Sequence, residues 1–139
     1  MDRKKFFKRI VYLIFFIFIV HFFANKFYWY SSIWYFDIIM HFLGGLWVGL
    51  FFIWFSSESL RLSLAFKALT LVIFKILLFV FVVGFGWEVF EFLFNNYIAQ
   101  NPFDFLDSTS DIFFDLVGGI VAILFFLKKT MLSNENKVK

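Results

Sequence analysis

The sequence contains no cysteine, a single proline and only two histidines. Without cysteine, the chain forms neither disulfides nor thiolate-ligated zinc or iron–sulfur sites. Charged residues make up 17% of the chain, whereas 63% of it is hydrophobic and 27 residues are phenylalanine. A soluble domain of this size does not hide so many apolar side chains, because small folds leave much of their surface exposed. The composition therefore predicts an integral membrane protein with one membrane domain over residues 1–139.

Four apolar runs are long enough to cross a hydrocarbon core of ~30 Å, which takes about 20 residues. We predict an all-α, integral membrane four-helix bundle with spans at residues 10–28, 33–55, 66–95 and 109–127. The third run exceeds a perpendicular span, so we expect a tilt or a bend at Gly84 and Gly86. Pro102 marks the loop before the fourth run. Ser108-x-x-Asp111 has the pattern of a capping box, which predicts that the fourth helix starts just after Ser108.

Positive charge is almost absent from one side of this predicted bundle, where only Lys26 occurs. The other side carries the remaining basic clusters, namely Arg3, Lys4, Lys5, Lys8, Arg9, Arg61, Lys67, Lys128, Lys129, Lys137 and Lys139. By the positive-inside rule, both termini are cytoplasmic in a multi-pass protein of the inner membrane. Anionic headgroups account for such juxtamembrane clusters, so we expect membrane lipids as partners and no nucleic acid.

The intramembrane acids form three short patterns, Asp37-x-x-x-His41, Glu88-x-x-Glu91 and Asp107-x-x-x-Asp111-x-x-x-Asp115. A charge at the centre of a spanning helix costs about 2.5–3.5 kcal/mol on insertion scales, so several charges together indicate a site. At 1.5 Å rise per residue, each pattern lies within about 12 Å of the outer end of its helix. We therefore expect the three patterns to meet in one polar pocket beneath the outer leaflet.

The spacing within these patterns also predicts which helix faces point inward. Residues three or four positions apart share one face of a helix. The acidic faces continue into small or polar residues, namely Gly44, Gly84, Asn95, Gly118 and Ala122. Small residues let helices approach closely in lipid, so we expect these faces to pack against each other. His21 and Asn25, four apart on the first helix, would add a fourth wall.

Such a group of carboxylates needs compensation at low dielectric, either by protons or by cations. Oxygen ligands suit hard divalent cations such as Mg²⁺, Mn²⁺ or Ca²⁺, and His41 extends the choice to Zn²⁺ or Fe²⁺. The candidate metal ligands are Asp37, His41, Glu88, Glu91, Asp111 and Asp115. The candidate catalytic residues are His41, Glu88, Asp111 and Asp115.

Simpler roles are open for several of these residues. Three aspartates near predicted helix starts fit caps that face the positive end of the helix dipole: Asp37, Asp107 and Asp111. Taken alone, His41 could form a hydrogen bond at a helix interface, and His21 could have no functional role. Asp104 could be a solvated loop residue. The aromatic residues of the first outer loop fit an interfacial girdle, namely Tyr28, Trp29, Tyr30, Trp34 and Tyr35.

Three segments in this order resemble small bacterial VanZ-like proteins and, at least as closely, inner-membrane proteins of the YjdF type. The segments are Phe36-Asp37-Ile38-Ile39-Met40-His41-Phe42, Trp87-Glu88-Val89-Phe90-Glu91 and Asp107 to Gly119. The VanZ resemblance implies a role in the envelope or in drug resistance, whereas the YjdF resemblance implies a fold and little chemistry. The chain departs from the VanZ pattern at Ile38, Glu91 and Asp115, where Lys, Gln and Asn are typical. These departures argue against a role in glycopeptide resistance.

Two classes of function fit the sequence, and it leaves open whether the protein is an enzyme. The first is metal-dependent chemistry on a lipid headgroup or lipid-linked phosphate, with Glu88 or Asp111 as base. The second is a non-enzymatic module that binds or transports cations or protons, which requires a homo-oligomer because four helices are few for a carrier. A purely structural cluster ranks last, since interhelical hydrogen bonds in lipid average about 0.6 kcal/mol.

Overall fold

The computed structural model describes residues 2–56, 66–94, 96–97 and 104–138. The helices, in chain order, are α1 Arg3–Lys26, α2 Trp29–Ser32, α3 Phe36–Phe55, α4 Phe66–Phe94 and α5 Phe105–Val138. No strand occurs in this described part of the chain. The predicted all-α class is therefore confirmed.

Four of the helices are long and apolar enough to cross a membrane, at Arg3–Lys26, Phe36–Phe55, Leu69–Phe94 and Phe105–Lys128. The first starts before the apolar run because Asp2 caps it. The Asp2 Oδ1 atom accepts hydrogen bonds from the backbone N–H groups of Lys4 at 3.0 Å and Lys5 at 3.3 Å. Capping satisfies the donors of the first turn, so the basic N-terminal residues continue the helix.

The last helix starts earlier than the capping box predicts. Its N-terminal N–H groups are satisfied by Asp104, whose Oδ1 accepts from Leu106 at 2.9 Å and from Asp107 at 3.3 Å. The helix consequently begins at Phe105, and the predicted start after Ser108 is wrong. Asp104 is exposed, but it caps a helix and is not a plain loop residue. Asp111 then lies between one and two turns inside the helix, so the interpretation of this residue as a cap is also wrong.

A sharp turn separates α1 from α3 and carries the short helix α2. Tyr28 adopts a left-handed backbone conformation, with φ 57° and ψ 34°, directly before α2. This conformation is uncommon for a residue with a side chain and reverses the chain. The turn places the Tyr30 ring edge-on against Phe36 at the start of α3, with ring centroids 5.0 Å apart.

Glycines allow α3 and α5 to form the most extensive helix pair of the described chain. A Cβ on Gly45 would overlap the backbone of Asp115, and a Cβ on Gly118 would overlap the backbone of α3. One turn further along, a Cβ on Gly49 would lie 2.9 Å from the Cβ of Ala122. The absence of side chains lets the two helices touch along this seam, as in other lipid-embedded interfaces. The expectation that the small-residue faces point inward is met on α5, whereas on α3 the crossing lies at Gly45 and Gly49 rather than at the predicted Gly44.

Two apolar clusters fill the interior above and below the acidic residues. The larger one lies toward the start of α1 and comprises Phe6, Ile10, Ile53, Val72, Ile76, Val80, Ala122 and Ile123. The smaller one lies at the other end and comprises Ala24, Phe36 and Met40. Many phenylalanines, such as Phe15 and Phe74, face outward, which is typical of a lipid-exposed surface. The polar residues are thus held between an apolar core and the turn that carries α2.

Candidate functional site

The side chain of His41 lies at the centre of a buried acidic cluster. It is about one and a half turns into α3, and only 8% of the residue is exposed. Carboxyl groups from three helices surround it: Asp37 from α3, Glu88 from α4, and Asp111 and Asp115 from α5. They meet because α4 ends beside the starts of α3 and α5. The acidic faces predicted from the sequence therefore converge on one imidazole ring.

The two ring nitrogens of His41 face different acids. Nδ1 lies 3.5 Å from Oδ2 of Asp115. Nε2 lies 3.8 Å from Oδ1 of Asp37, 3.8 Å from Oδ2 of Asp111 and 4.0 Å from Oε1 of Glu88. These three separations exceed the length of a hydrogen bond. Three carboxylate oxygens thus surround Nε2 without bonding to it.

Two buried oxygens of the cluster have no hydrogen-bond partner among the described residues, namely Oε1 of Glu88 and Oδ1 of Asp111. Asp111 is 2% exposed and Glu88 is 6% exposed, so water reaches neither side chain freely. The Ser108 side chain interacts with the Glu88 carboxyl group but leaves Oε1 without a partner. Since more than 90% of buried polar groups are paired in folded proteins, two orphan oxygens in one cluster indicate a missing partner.

The cluster holds many more acids than bases. Its carboxyl groups belong to Asp37, Glu88, Glu91, Asp111 and Asp115. Within the described residues, the ion pairs of these groups all run to His41. One imidazolium would balance only one negative charge. Protons or metal cations must therefore compensate the remaining charge in this low-dielectric environment.

Two sets of three side chains could hold a metal ion. Asp37, His41 and Asp111 form one set, and His41, Glu88 and Glu91 form the other. In each set, one ligand atom per residue lies within 4.8 Å of the others. Both sets share His41, so they describe a single region. Carboxylate oxygens and one imidazole nitrogen make a donor set for divalent cations.

A family described as "Predicted membrane protein (DUF2238)" matches residues 1–130 of the chain. The chain belongs to this family. The matched region contains the whole acidic cluster and the four candidate membrane spans. No curated protein and no solved structure matches the chain. The membrane assignment made from composition agrees with the family description.

The structure brings together all the residues that the sequence analysis names as candidate metal ligands. Other residues that were predicted on the same helix faces lie outside the cluster or line its edge. Asp107 is exposed in the first turn of α5 and makes none of the ion pairs with His41. Asn95 lies outside the described residues. Gly44 and Gly84 instead line Asp115: a Cβ on Gly84 would overlap its carboxylate, and one on Gly44 would lie 3.7 Å from Oδ1. Ser108 also contacts Glu88. The sequence analysis assigned Ser108 to a capping box and did not predict this contact.

On α1, the predicted fourth wall forms a separate hydrogen-bond network. Nδ1 of His21 lies 2.7 Å from the hydroxyl oxygen of Tyr30, and Nε2 lies 2.9 Å from Nδ2 of Asn25. Both His21 and Tyr30 interact electrostatically with Asp37. The Tyr30 ring also packs against Phe36, so the network lies next to the start of α3. Sequence reasoning assigned Tyr30 to the aromatic girdle and contained no signal for this pairing, because it depends on the turn at Tyr28.

Proposed function

We propose that the cluster around His41 binds a divalent cation and uses it on the phosphate group of a membrane lipid or lipid-linked intermediate. The observation that carries the cation site is the pair of orphan oxygens, Oε1 of Glu88 and Oδ1 of Asp111. Leaving a buried polar atom unpaired costs about 1–3 kcal/mol, and more for a charged group. A divalent cation bound by either set of ligands would pair an oxygen of Glu88 or of Asp111 and neutralise part of the surrounding charge.

The separations around Nε2 support a shared ion. Two ligand atoms that each lie about 2.1 Å from one metal ion are at most about 4.2 Å apart. The distances of Nε2 to the acidic oxygens of Asp37, Glu88 and Asp111 are 3.8, 4.0 and 3.8 Å. All three fall below that limit, so each of the two sets, Asp37 with Asp111 and Glu88 with Glu91, lies within reach of an ion on Nε2, whereas one ion shared by both sets would need side-chain rearrangement. Glu91, half-buried beside them, would supply a further oxygen.

Asp115 has a different role in this proposal, because it faces the other side of the ring. A metal-binding histidine usually donates its second N–H to a carboxylate, which fixes the tautomer and the orientation of the ring. Asp115 lies 3.5 Å from Nδ1 and is held between Gly44 and Gly84. It would accept the Nδ1–H and leave the lone pair of Nε2 for the ion. Asp115 is then a positioning residue, and the ligands are His41, Asp37, Glu88, Glu91 and Asp111.

The donor set of several oxygens and one nitrogen suits Mn²⁺ or Zn²⁺, and also Mg²⁺ with water completing its shell. The positive-inside rule orients both termini toward the cytoplasm. The cluster then lies under the outer leaflet of the inner membrane, since it occupies the opposite end of the bundle from Arg3. Lipid phosphates of that leaflet are the nearest abundant anionic ligands.

In the enzymatic version, a bound cation would polarise a phosphoryl oxygen, and whichever of Glu88 and Asp111 is not coordinated to it would take a proton from water. The water oxygen forms a bond to phosphorus, the bond from phosphorus to the alcohol oxygen breaks, and the alcohol leaves with that proton. A lipid phosphate would approach past Asp37, whose side chain is 36% exposed, compared with 3% for Asp111.

Metal analysis tests the site, and lipid profiling tests the chemistry. The purified wild-type protein should retain about one Mn²⁺ or Zn²⁺ per chain after dialysis against it, whereas Glu88→Gln and Asp111→Asn should retain far less. Asp107→Asn is the matched control because Asp107 is exposed and makes no ion pair with His41, while its charge acts on Asp37 and Asp111 from outside the cluster. Cells that lack the protein should accumulate one phosphate-bearing lipid, and wild-type protein but not Asp111→Asn should reverse this. Absence of bound cation from the wild type would refute the cation site.

The burial of the cluster favours a second candidate, a module that binds or transports cations or protons without chemistry on lipids. His41, Glu88 and Asp111 are 2–8% exposed, which leaves a lipid phosphate little room. Transport would need a homo-oligomer, because the sequence places no acid in the inner halves of the four spans. A cation-loaded protein with unchanged lipid and cell-wall precursor pools would establish this candidate. A VanZ-like envelope role or a YjdF-type relationship remains a proposal that rests on segment order alone.

A further inference from the structure

A groove of about 310 Å³ opens on the outer surface of the bundle between α3 and α4. It is lined by Phe52 of α3 and by Lys75, Leu78, Phe79 and Val82 of α4, and none of the acids around His41 contributes to it. The four residues of α4 lie three or four positions apart, so they form one stripe along the helix. We call this feature the α3–α4 groove.

The floor and the walls of the α3–α4 groove are apolar. Phe52 and Phe79 are half-buried and form the floor, where their ring centroids are 4.8 Å apart and tilted by 36°. Leu78 and Val82 form a wall and are 47% and 58% exposed. Because the groove lies within two candidate membrane spans, its surface faces hydrocarbon and fits an acyl chain.

Lys75 is the charged residue of this groove, and it lies at the end of the bundle where α1 begins. It follows the start of the span at Leu69 by six residues, which is about 9 Å at 1.5 Å rise per residue. The side chain is exposed, so its apolar stem can lie along the helix while the ammonium group reaches the headgroups. Among the described residues, no carboxylate forms an ion pair with Lys75.

The charge of Lys75 distinguishes between two occupants of the groove. A charged side chain within a span needs a partner of opposite charge. A second copy of the chain would cover the groove without supplying one, since the inner halves of the four spans contain no acid. An anionic phospholipid supplies a negative headgroup and an acyl chain in one molecule.

We propose that the α3–α4 groove binds one anionic phospholipid of the leaflet on the Arg3 side of the membrane. One acyl chain lies on Phe52 and Phe79, and the ammonium group of Lys75 binds the headgroup phosphate. By the positive-inside rule this is the cytoplasmic leaflet. The lipid site is separate from the proposed cation site and stands or falls independently of it.

Native mass spectrometry of the full-length protein, released from detergent, tests the charge of the site. Phosphatidylglycerol and phosphatidylcholine with the same acyl chains are titrated separately, and we expect the first bound lipid to prefer phosphatidylglycerol. Lys75→Gln should weaken this first binding step about fivefold, the factor expected for one lysine at an anionic headgroup. Lys128→Gln removes the same charge from an exposed position outside the groove and should have little effect. Lys75→Met provides the same test should Lys75→Gln fold poorly.

A second pair of variants tests the groove without changing the charge. Val82→Trp fills the groove and should weaken the first binding step, whereas Val83→Trp, at an exposed neighbour outside the groove, should not. Glycerol phosphate, which has no acyl chain, should not compete with the lipid.

Three results would overturn the lipid site. Equal losses in Lys75→Gln and Lys128→Gln would mean that the preference is a property of the whole basic surface. Equal binding by Val82→Trp and Val83→Trp would mean that no chain occupies the groove. A dimer that dissociates in Val82→Trp but not in Val83→Trp would assign the groove to a second copy.

Discussion

Nδ1 of His41 on α3 faces Oδ2 of Asp115 on α5 at 3.5 Å. This approach is possible only because glycine occupies the crossing: a Cβ on Gly45 or Gly118 would overlap the backbone of the opposing helix. The glycines that allow the two helices to touch therefore also orient the histidine at the centre of the cluster. The contact between α3 and α5 therefore determines both the packing of these helices and the orientation of His41 in the site.

The contact between His41 and Asp115 leads to the first prediction. Asp115→Asn keeps the size of the side chain but removes the charge that favours Nδ1–H on His41. We expect the affinity for Mn²⁺ or Zn²⁺ to fall about 10–100-fold, the range seen when the partner of a metal-bound histidine is lost. Isothermal titration of the detergent-solubilised protein measures this. Unchanged affinity would show that Asp115 does not orient the ring.

A second prediction concerns the space that Gly84 leaves for Asp115. In Gly84→Ala the added methyl group would displace the Asp115 carboxylate, and overpacking of this kind costs about 1–3 kcal/mol. We expect a lower thermal unfolding midpoint and weaker cation binding. Gly86→Ala, two residues away on α4, is the control because a Cβ there meets nothing within 4 Å. It should be neutral or slightly stabilising, since alanine favours helix by about 1 kcal/mol over glycine. Equal behaviour of the two variants would contradict the close approach of Gly84 to the Asp115 carboxylate.

The seam between α3 and α5 supplies a third prediction, with two adjacent glycines as a matched pair. Gly45→Ala places a methyl group against backbone that cannot move aside, whereas Gly44→Ala makes an ordinary contact 3.7 Å from Oδ1 of Asp115. We expect Gly45→Ala to reduce the yield of folded protein and its unfolding midpoint strongly. Gly44→Ala should stay close to the wild type in both. Size-exclusion profiles and thermal melts in detergent compare them, and a more stable Gly45→Ala variant would disprove the close crossing.

Cation binding should stabilise the folded protein by mass action. A cation present at 100 times its dissociation constant adds about 2.7 kcal/mol if it binds only the folded state. We expect Mn²⁺ or Zn²⁺ to raise the unfolding midpoint of the wild type and of Asp107→Asn, since Asp107 lies outside the cluster. His41→Ala and Asp111→Asn should lose this response. A midpoint that rises equally in all four proteins would indicate binding at other surfaces.

The orientation is testable because the chain has no native cysteine. A cysteine at exposed Tyr97 should react with a membrane-impermeant maleimide in intact cells, as expected for the outer side. A cysteine at Lys4 should react only after the membrane is permeabilised. The opposite pattern would place the acidic cluster under the cytoplasmic leaflet and remove outer-leaflet lipids as its ligands.

Some expectations failed where neighbouring signals competed. Asp104 and Ser108 are both good caps in the same short stretch, and it is Asp104 that accepts hydrogen bonds from the first turn of α5. The sequence pattern aligned Gly44 with His41, yet the neighbouring Gly45 lies at the closest crossing. Each error is one position or one turn along a helix. Periodicity predicts a face about 100° wide, and only the crossing geometry selects the residue at its centre.

The amino-acid sequence by itself determined the membrane class, the four apolar runs and the depth and face of the acidic residues. These features are local, since hydrophobic length and helical period depend only on nearby residues. Only the tertiary structure decided that Nδ1 of His41 meets Asp115 while Nε2 meets Asp37, Glu88 and Asp111, and that the Tyr30 hydroxyl meets Nδ1 of His21. These pairings depend on helix crossings and on the left-handed turn at Tyr28, which arise from packing between residues distant in the chain.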